Sequence, residues 1–169
     1  IEDTEASLGT MRPKGVVRID VHGTLARHFL LPDLPSFLST YPDIELHMSE
    51  GDRLVDPVRE GMDCLLRVGA LRDSDMTVRS LGFLDEVTLA SPAYLQKHGT
   101  PAHPDDLPGR HVMVGFQSSL RGRILPLEFM IDGKIREIAL PSPMSVNAAE
   151  SYIAAARMGM GLIQIPRYH

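Results

Sequence analysis

Val58-Arg59-Glu60-Gly61-Met62-Asp63-Cys64-Leu65-Leu66-Arg67-Val68-Gly69 is the stretch that decides the fold. It reads as a helix end, a turn at Gly61, a short buried strand and a loop opening at Gly69. Gly61 is a left-handed cap candidate, because glycine takes that conformation without a Cβ clash. Met62 to Val68 is a short apolar run bounded by turn residues, which predicts a buried strand. Toward the N-terminus, Ile44 to Met48 alternates Ile, Leu and Met with Glu and His, and predicts a second strand. Gly15 to Val21 is β-rich and predicts a third. Between these strands, Leu25, Phe29, Leu30, Leu34, Phe37, Leu38 and Tyr41 follow helical spacing, and Thr24 is a candidate N-cap. Pro32 and Pro35 fall inside that pattern, so the helix is expected to kink or to begin near Pro32. Asp52 to Glu60 predicts a short helix. The order β-α-β-α-β over residues 15–68 has the spacing of crossover units with a parallel sheet.

The second half alternates shorter elements. Two apolar runs, Val78/Leu81 and Leu84/Val87/Leu89, precede a Pro-started helix over Pro92 to Gly99. A Pro-rich turn region spans Thr100 to Arg110, followed by a strand over His111 to Phe116 and a polar loop over Gln117 to Arg123. Asp132-Gly133 between Leu127–Ile131 and Lys134–Ala139 is a strong hairpin signal, since both residues tolerate positive φ. Met144 to Val146 predicts a short strand, and Ala148 to Met158 an Ala-rich helix with Asn147 as N-cap. Gly161 to Ile165 is a last buried strand, ended by Pro166. Residues 1–9 read as the tail of a polar helix or a linker.

The 169 residues are one or two domains with a real core. Hydrophobic content of 43% and charged content of 23% are those of a globular protein, and no apolar run approaches the ~18 residues of a membrane span. The acidic start, Ile1-Glu2-Asp3-Thr4-Glu5, has neither the basic nor the apolar region of a secretion signal. With 17 basic against 22 acidic residues and no basic run, these residues lack the electrostatic footprint of a nucleic-acid-binding surface. Cys64, the single cysteine, excludes an internal disulfide and is expected to be a buried, inert thiol. The nine methionines are expected to fill core space. Histidines 28, 47, 98, 103, 111 and 169 show no zinc-type spacing, and no catalytic constellation is present, so neither metal, cofactor nor enzymatic activity is expected. Asp105-Asp106 and Asp73/Asp75 sit in turn-like sequence and read as solvated caps.

Five sequence elements, in this order, resemble the effector-binding domain of LysR-type transcriptional regulators. They are Leu31-Pro32-Asp33-Leu34-Pro35-Ser36-Phe37 with Tyr41-Pro42; Glu60-Gly61-Met62-Asp63 with Arg67 and Gly69; Ser91-Pro92-Ala93-Tyr94-Leu95; Gly99 and Pro101 with Asp106-Leu107; and Ala154 through Leu162. The resemblance covers about Gly15 to Tyr168. It implies an α/β fold of two Rossmann-like subdomains with a cleft between them, similar to type 2 periplasmic binding proteins. Residues 1–84 would form the first subdomain, with 1–14 the end of a linker helix, and residues 85–169 the second. It also implies that the DNA-reading winged helix-turn-helix, and a return strand and helix that complete the first subdomain, lie outside this chain.

A cleft in such a fold lies at the carboxyl ends of parallel strands, where helix N-termini favour anions. Two segments qualify, His22-Gly23-Thr24-Leu25 and Asn147-Ala148, and Gly23 would let a ligand approach the backbone closely. The resemblance places effector contacts at His22, Thr24, the loop Arg67-Val68-Gly69, the loop Phe116-Gln117-Ser118 and Asn147. Each has a structural alternative: Thr24 and Asn147 as caps, Arg67 paired with Asp63 or a helix C-terminus, and Gln117 to Ser119 as a solvent-facing turn. The implied partners are a small-molecule effector, best matched by an organic anion, a homodimer or tetramer built on Leu25–Ser39 and Ala148–Met158, and DNA through the segment outside this chain, in the cytoplasm with no membrane contact. The alternatives are a free-standing solute-binding protein of the same fold and a deaminase-like lyase.

Overall fold

The computed structural model describes residues 12–51, 53, 55–69, 77–118 and 122–169. The reading of residues 1–9 and that of Asp73, Asp75 and Ser119 lie outside the described residues. The chain divides into two compact units, Ile1–Arg72 and Asp73–His169.

The first unit is built on three parallel strands, β1 (Gly15–Val21), β2 (Ile44–Glu50) and β3 (Cys64–Leu66), in the order β2-β1-β3. The chain crosses from β1 to β2 on one side, then back over β1 to β3 on the other. The point where the crossover direction reverses therefore lies between β1 and β3, the place where open α/β sheets bind ligands. After β1 the chain turns into α1 (Gly23–Leu25), which continues as a π-turn over Ala26–Leu30. Leu31 N–H donates to the Ala26 carbonyl at 2.9 Å, and Pro32 has no N–H with which to continue. A second helix, α2 (Leu34–Thr40), follows the break. The single apolar stripe in the sequence is thus split by its prolines, and of its residues only Leu25 is buried. Phe29, Leu31, Phe37 and Tyr41 are 36–46% exposed.

Helix α3 (Pro57–Glu60) is shorter than the sequence suggested. It starts at Asp56, whose carboxylate accepts from the Val58 and Arg59 N–H groups at 3.1 Å. Gly61 ends it in the left-handed conformation, φ 63°, as expected. Cys64 is exposed, which corrects the expectation of a buried thiol. It lies on β3, an edge strand of the sheet, so the apolar run that contains it is covered on fewer sides than a central strand.

In the second unit β5 (Val114–Ser118) runs parallel to β9 (Met144–Val146) and antiparallel to the short β6 (Arg123–Ile124). On its other side β5 meets the approach to β10 (Ile163–Pro166) through a parallel bridge, Met113 to Leu162. β10 pairs antiparallel with β4 (Glu86–Leu89). Of the apolar residues between 78 and 89, only those of β4 enter a strand, and Leu81 and Phe83 are exposed. The hairpin β7 (Leu127–Ile131) and β8 (Lys134–Ile138) turns at Asp132 (φ 49°) and Gly133 (φ 73°), as the sequence predicts.

Strand alternation sends consecutive residues to opposite faces. Met113 and Leu162 join a cluster with Tyr94, Leu107, Leu127, Ile138 and Leu140, while Val114 and Ile163 join Tyr152, Ala155, Ala156 and Ile165. Helix α4 (Pro92–His98) covers the first cluster with Tyr94, and α5 (Ala149–Arg157) covers the second. The alanines of α5 at 149, 155 and 156 are buried, so this small-residue face packs on its own sheet. Tyr94 Oη accepts from the Val112 N–H at 2.9 Å and donates to the Val112 carbonyl at 3.2 Å. Gln164 does similar work across elements. Its amide oxygen accepts the Glu128 N–H and its amide nitrogen donates to the Glu128 carbonyl, both at 2.7 Å, which ties β10 to β7. The methionine expectation also needs correction: Met113 is buried, but Met130, Met144, Met158 and Met160 are 37–79% exposed.

His111 is 4% exposed and packs near Tyr94 and His98, with ring centroids 5.8 Å and 6.5 Å away. Its Nδ1 has no hydrogen-bond partner. Burial pushes its pKa down, helped by His98 and Arg110 and opposed by Asp106. The folded unit therefore binds this proton less well than the unfolded chain. That contribution to stability is fully present above the unfolded value of about 6.5 and is lost as pH falls through the lower folded value. Urea denaturation at pH 7.5 and 5.5 is expected to show lower stability at the acidic pH, at a slope of at most about 1.4 kcal/mol per pH unit from this one group. His111→Phe should flatten the difference, and an unchanged slope in that variant would assign the pH dependence elsewhere.

Candidate functional site

Each unit gathers its share of the candidate residues at the carboxyl ends of adjacent parallel strands. In the first unit Val21 and Leu66 are register partners, so His22 to Leu25 after β1 and Arg67 to Val68 after β3 leave the sheet at the same level. In the second unit Phe116 pairs with Val146, so Gln117 and Ser118 lie beside Asn147 in the same manner.

His22 holds the N-cap position of α1 with extended backbone (φ −66°, ψ 128°), and no side chain caps this helix. Thr24 is therefore not the cap that the sequence suggested, because the backbone is already helical at Gly23. Thr24 is 4% exposed, and its Oγ1 lies 2.9 Å from Nδ1 of His22. Leu25 is also buried and anchors the segment. A Cβ added to Gly23 would stand 2.5 Å from Glu50 Oε2 and 2.9 Å from Arg27 Nη2. The space beside Gly23 is thus occupied by the Glu50 and Arg27 side chains, which face each other at 4.0 Å.

Arg67 pairs with neither Asp63 nor a helix C-terminus, as the structural alternative had it. Asp63 instead accepts the Arg18 N–H at 2.8 Å and donates its own N–H to the Arg18 carbonyl, tying β3 to β1. The partner of Arg67 is Asp20, through Nη2 and Oδ1. Asp20 is 5% exposed, and its Oδ2 accepts from Ser49 Oγ at 2.5 Å. Burial lowers the Arg67 pKa from its ordinary value, though a guanidinium stays charged throughout the accessible pH range. Val68 is exposed.

In the second unit Phe116 packs edge-on against Tyr152, with ring centroids 5.3 Å apart, and belongs to the core on that face. Gln117 and Ser118 are not loop residues: they complete β5 and pair with Ile124 and Arg123 of β6. Gln117 is exposed and Ser118 half-buried. Asn147 does not cap α5. Ala148 takes the cap position (φ −122°, ψ 133°) without a side-chain bond, one residue later than expected, and Asn147 is exposed.

Asp105 and Asp106 fall in a 3-10 turn, where Asp106 accepts the N–H groups of His103 and Ala102, which hold its carboxyl below the usual range. Sequence reasoning missed Asp20 and Ser49. The available signal was an acidic residue inside an otherwise apolar strand end, Ile19-Asp20-Val21. Among the described residues no group of three or more His, Cys, Asp or Glu could hold a metal ion, and no helix is long and apolar enough to cross a membrane.

Residues 11–169 match the family described as the LysR substrate binding domain, and the chain belongs to that family. The chain is 39% identical over 153 residues to an uncharacterized HTH-type transcriptional regulator, YhjC, of Escherichia coli K12, covering 90% of this chain and 51% of that protein. It thus spans about half the length of that curated relative. Among solved structures it is similar to the regulatory domain of CrgA, a LysR-type transcriptional regulator from Neisseria meningitidis, with a TM-score of 0.74 and 27% identity over 90% of this chain and 73% of that one. It is also similar to full-length AphB, the Vibrio cholerae virulence activator, with a TM-score of 0.70 and 25% identity over 98% of this chain and 57% of that one. The relatives are transcriptional regulators, which favours neither a free-standing solute-binding protein nor an enzyme.

Proposed function

We propose that this chain is the effector-sensing part of a LysR-type transcriptional regulator, acting in the cytoplasm without catalysing a reaction. A small organic anion binds among His22, Gly23, Thr24, Leu25, Arg67 and Val68 of the first subdomain and Phe116, Gln117, Ser118 and Asn147 of the second. The two subdomains are residues 1–84 and 85–169. The observation that carries this reading is the placement of each set at the carboxyl ends of adjacent parallel strands, in the first unit at the crossover reversal between β1 and β3. The ligand's different affinity for two arrangements of the protein shifts their populations. That shift changes the geometry of a homodimer or tetramer and of the DNA-reading heads carried by a segment outside this chain. The half-exposed apolar side chains Phe29, Leu31 and Phe37 support the first helical segment as the oligomer face. The buried alanines of α5 leave that helix less small-residue surface for the same purpose.

Thr24 gives the direct test. Its hydroxyl is buried beside His22 at the end of β1. Thr24→Ala is expected to weaken effector binding by about tenfold, the loss of one hydrogen bond to a charged group, and to leave the fold intact. Isothermal titration of the full-length protein with effectors found by a thermal-shift screen measures this. Unchanged affinity in a folded variant would remove Thr24 from the site, and a full-length protein that binds no DNA would remove the regulator reading.

A further inference from the structure

Asp20 is the one buried carboxylate among the described residues, and it stands where an anion is expected to bind. On Coulomb grounds alone it should weaken such binding, since it cancels the charge of Arg67. Its position suggests another role. Asp20 lies on the central strand, level with Ser49 of β2 and Leu65 of β3. Ser49 fixes one carboxylate oxygen and Arg67 takes the other. Arg67 in turn donates from Nη1 to the Leu66 carbonyl at 3.1 Å and from Nη2 to the Arg53 carbonyl at 3.5 Å. Three donations thus hold the guanidinium at the end of β3, at the level where His22 leaves β1. Its Nε–H and one Nη1–H have no partner among the described residues; they share no edge of the guanidinium, so each can donate one single hydrogen bond, and the side chain is 30% exposed.

We propose that Asp20 is a positioning residue: with Ser49 it holds the Arg67 guanidinium in place so that one of its remaining N–H groups donates to a ligand carboxylate. This rests on the reading of this strand end as part of the effector site. An arginine side chain has many rotamers, and binding to a mobile one requires ordering it. A guanidinium fixed in advance avoids that loss and presents a charged N–H donor in a set direction to a carboxylate oxygen.

The sign of one substitution decides between the possible roles. Asp20→Asn removes a negative charge and loosens Arg67 together. Propionate and benzoate, each beside its amide, serve as probes in ligand-observed NMR on the full-length protein. With Asp20 as a positioning residue, Asp20→Asn lowers carboxylate affinity about tenfold and leaves amide affinity within about twofold. A rise in carboxylate affinity would make Asp20 merely an opposing charge, and an equal fall for acid and amide would make it merely structural; either overturns the proposal. Ser49→Ala keeps both charges and removes one tether, so it should lower the acid-over-amide preference by about twofold to threefold, and it carries the test if Asp20→Asn fails to fold. An unchanged preference in Ser49→Ala also overturns the proposal. Wild-type protein that binds neither acid overturns the carboxylate assignment, while specific DNA binding by the same preparation would leave the regulator reading standing.

Discussion

Gly161→Ala is expected to destabilise the second unit by about 3 kcal/mol or more, the range of substitutions that force backbone apart in a packed core. Gly161 has φ 152°, a region that side-chain-bearing residues rarely adopt. A Cβ there would stand 2.9 Å from the Met113 carbonyl carbon, 2.9 Å from the Val112 oxygen and 3.0 Å from the Val114 nitrogen. All three are backbone atoms, so no side-chain rotation relieves the contact. The same close approach lets Leu162 N–H donate to Val112 and Val114 N–H donate to Leu162, each at 3.0 Å. Those two bonds join β5 to the approach to β10 between the two hydrophobic clusters. Urea denaturation followed by circular dichroism measures the loss. A cost below about 1 kcal/mol would show that the two segments can separate cheaply, against the packing described.

The second large effect is expected at Arg67. Arg67→Met keeps much of the side-chain volume and leaves Asp20 buried without its cation. Removing one partner of a buried ion pair costs about 3–5 kcal/mol, because the remaining charge is neither solvated nor paired. Arg67 is partly exposed, so water can reach some of the site, and the lower end of that range is expected. Hydrogen exchange of the Val21 and Leu66 amides reports on the first unit by itself. Adding Asp20→Asn to Arg67→Met should recover part of the loss, since an amide in that place carries no charge. A double variant no more stable than Arg67→Met would show that the charge left on Asp20 is not the source of the cost.

These two sites also separate stability from recognition. Gly161 lies in the core of the second unit and carries no candidate ligand contact, so a tolerated change there should leave effector affinity unaltered. Arg67 has both roles, since it neutralises Asp20 and is proposed to meet the ligand. A fall in affinity in Arg67→Met is therefore interpretable only beside the hydrogen-exchange result, whereas Ser49→Ala disturbs the arrangement with both charges kept.

The sequence by itself determined the parallel β1-β2-β3 unit, the Asp132-Gly133 hairpin and the Gly61 cap. Each depends on short-range rules: hydrophobic period, crossover length, and residues that accept positive φ. The resemblance carried by Glu60 to Gly69 and Ser91 to Leu95 supplied the family, which residues 11–169 bear out. Local rules were weaker at helix starts. Thr24 and Asn147 have the chemistry of caps, but His22 and Ala148 hold the cap geometry, because a cap is fixed by where the backbone turns helical. Burial was weaker still. An apolar residue on an edge strand, such as Cys64, or on a helix split by proline, such as Phe37, has the composition of a core residue without neighbours to cover it. Only the tertiary structure brought together Asp20, Ser49 and Arg67, which come from three strand ends up to 47 residues apart. Their pairing follows from strand order and register, since β1 lies between β2 and β3 and sets one carboxylate within reach of both neighbours.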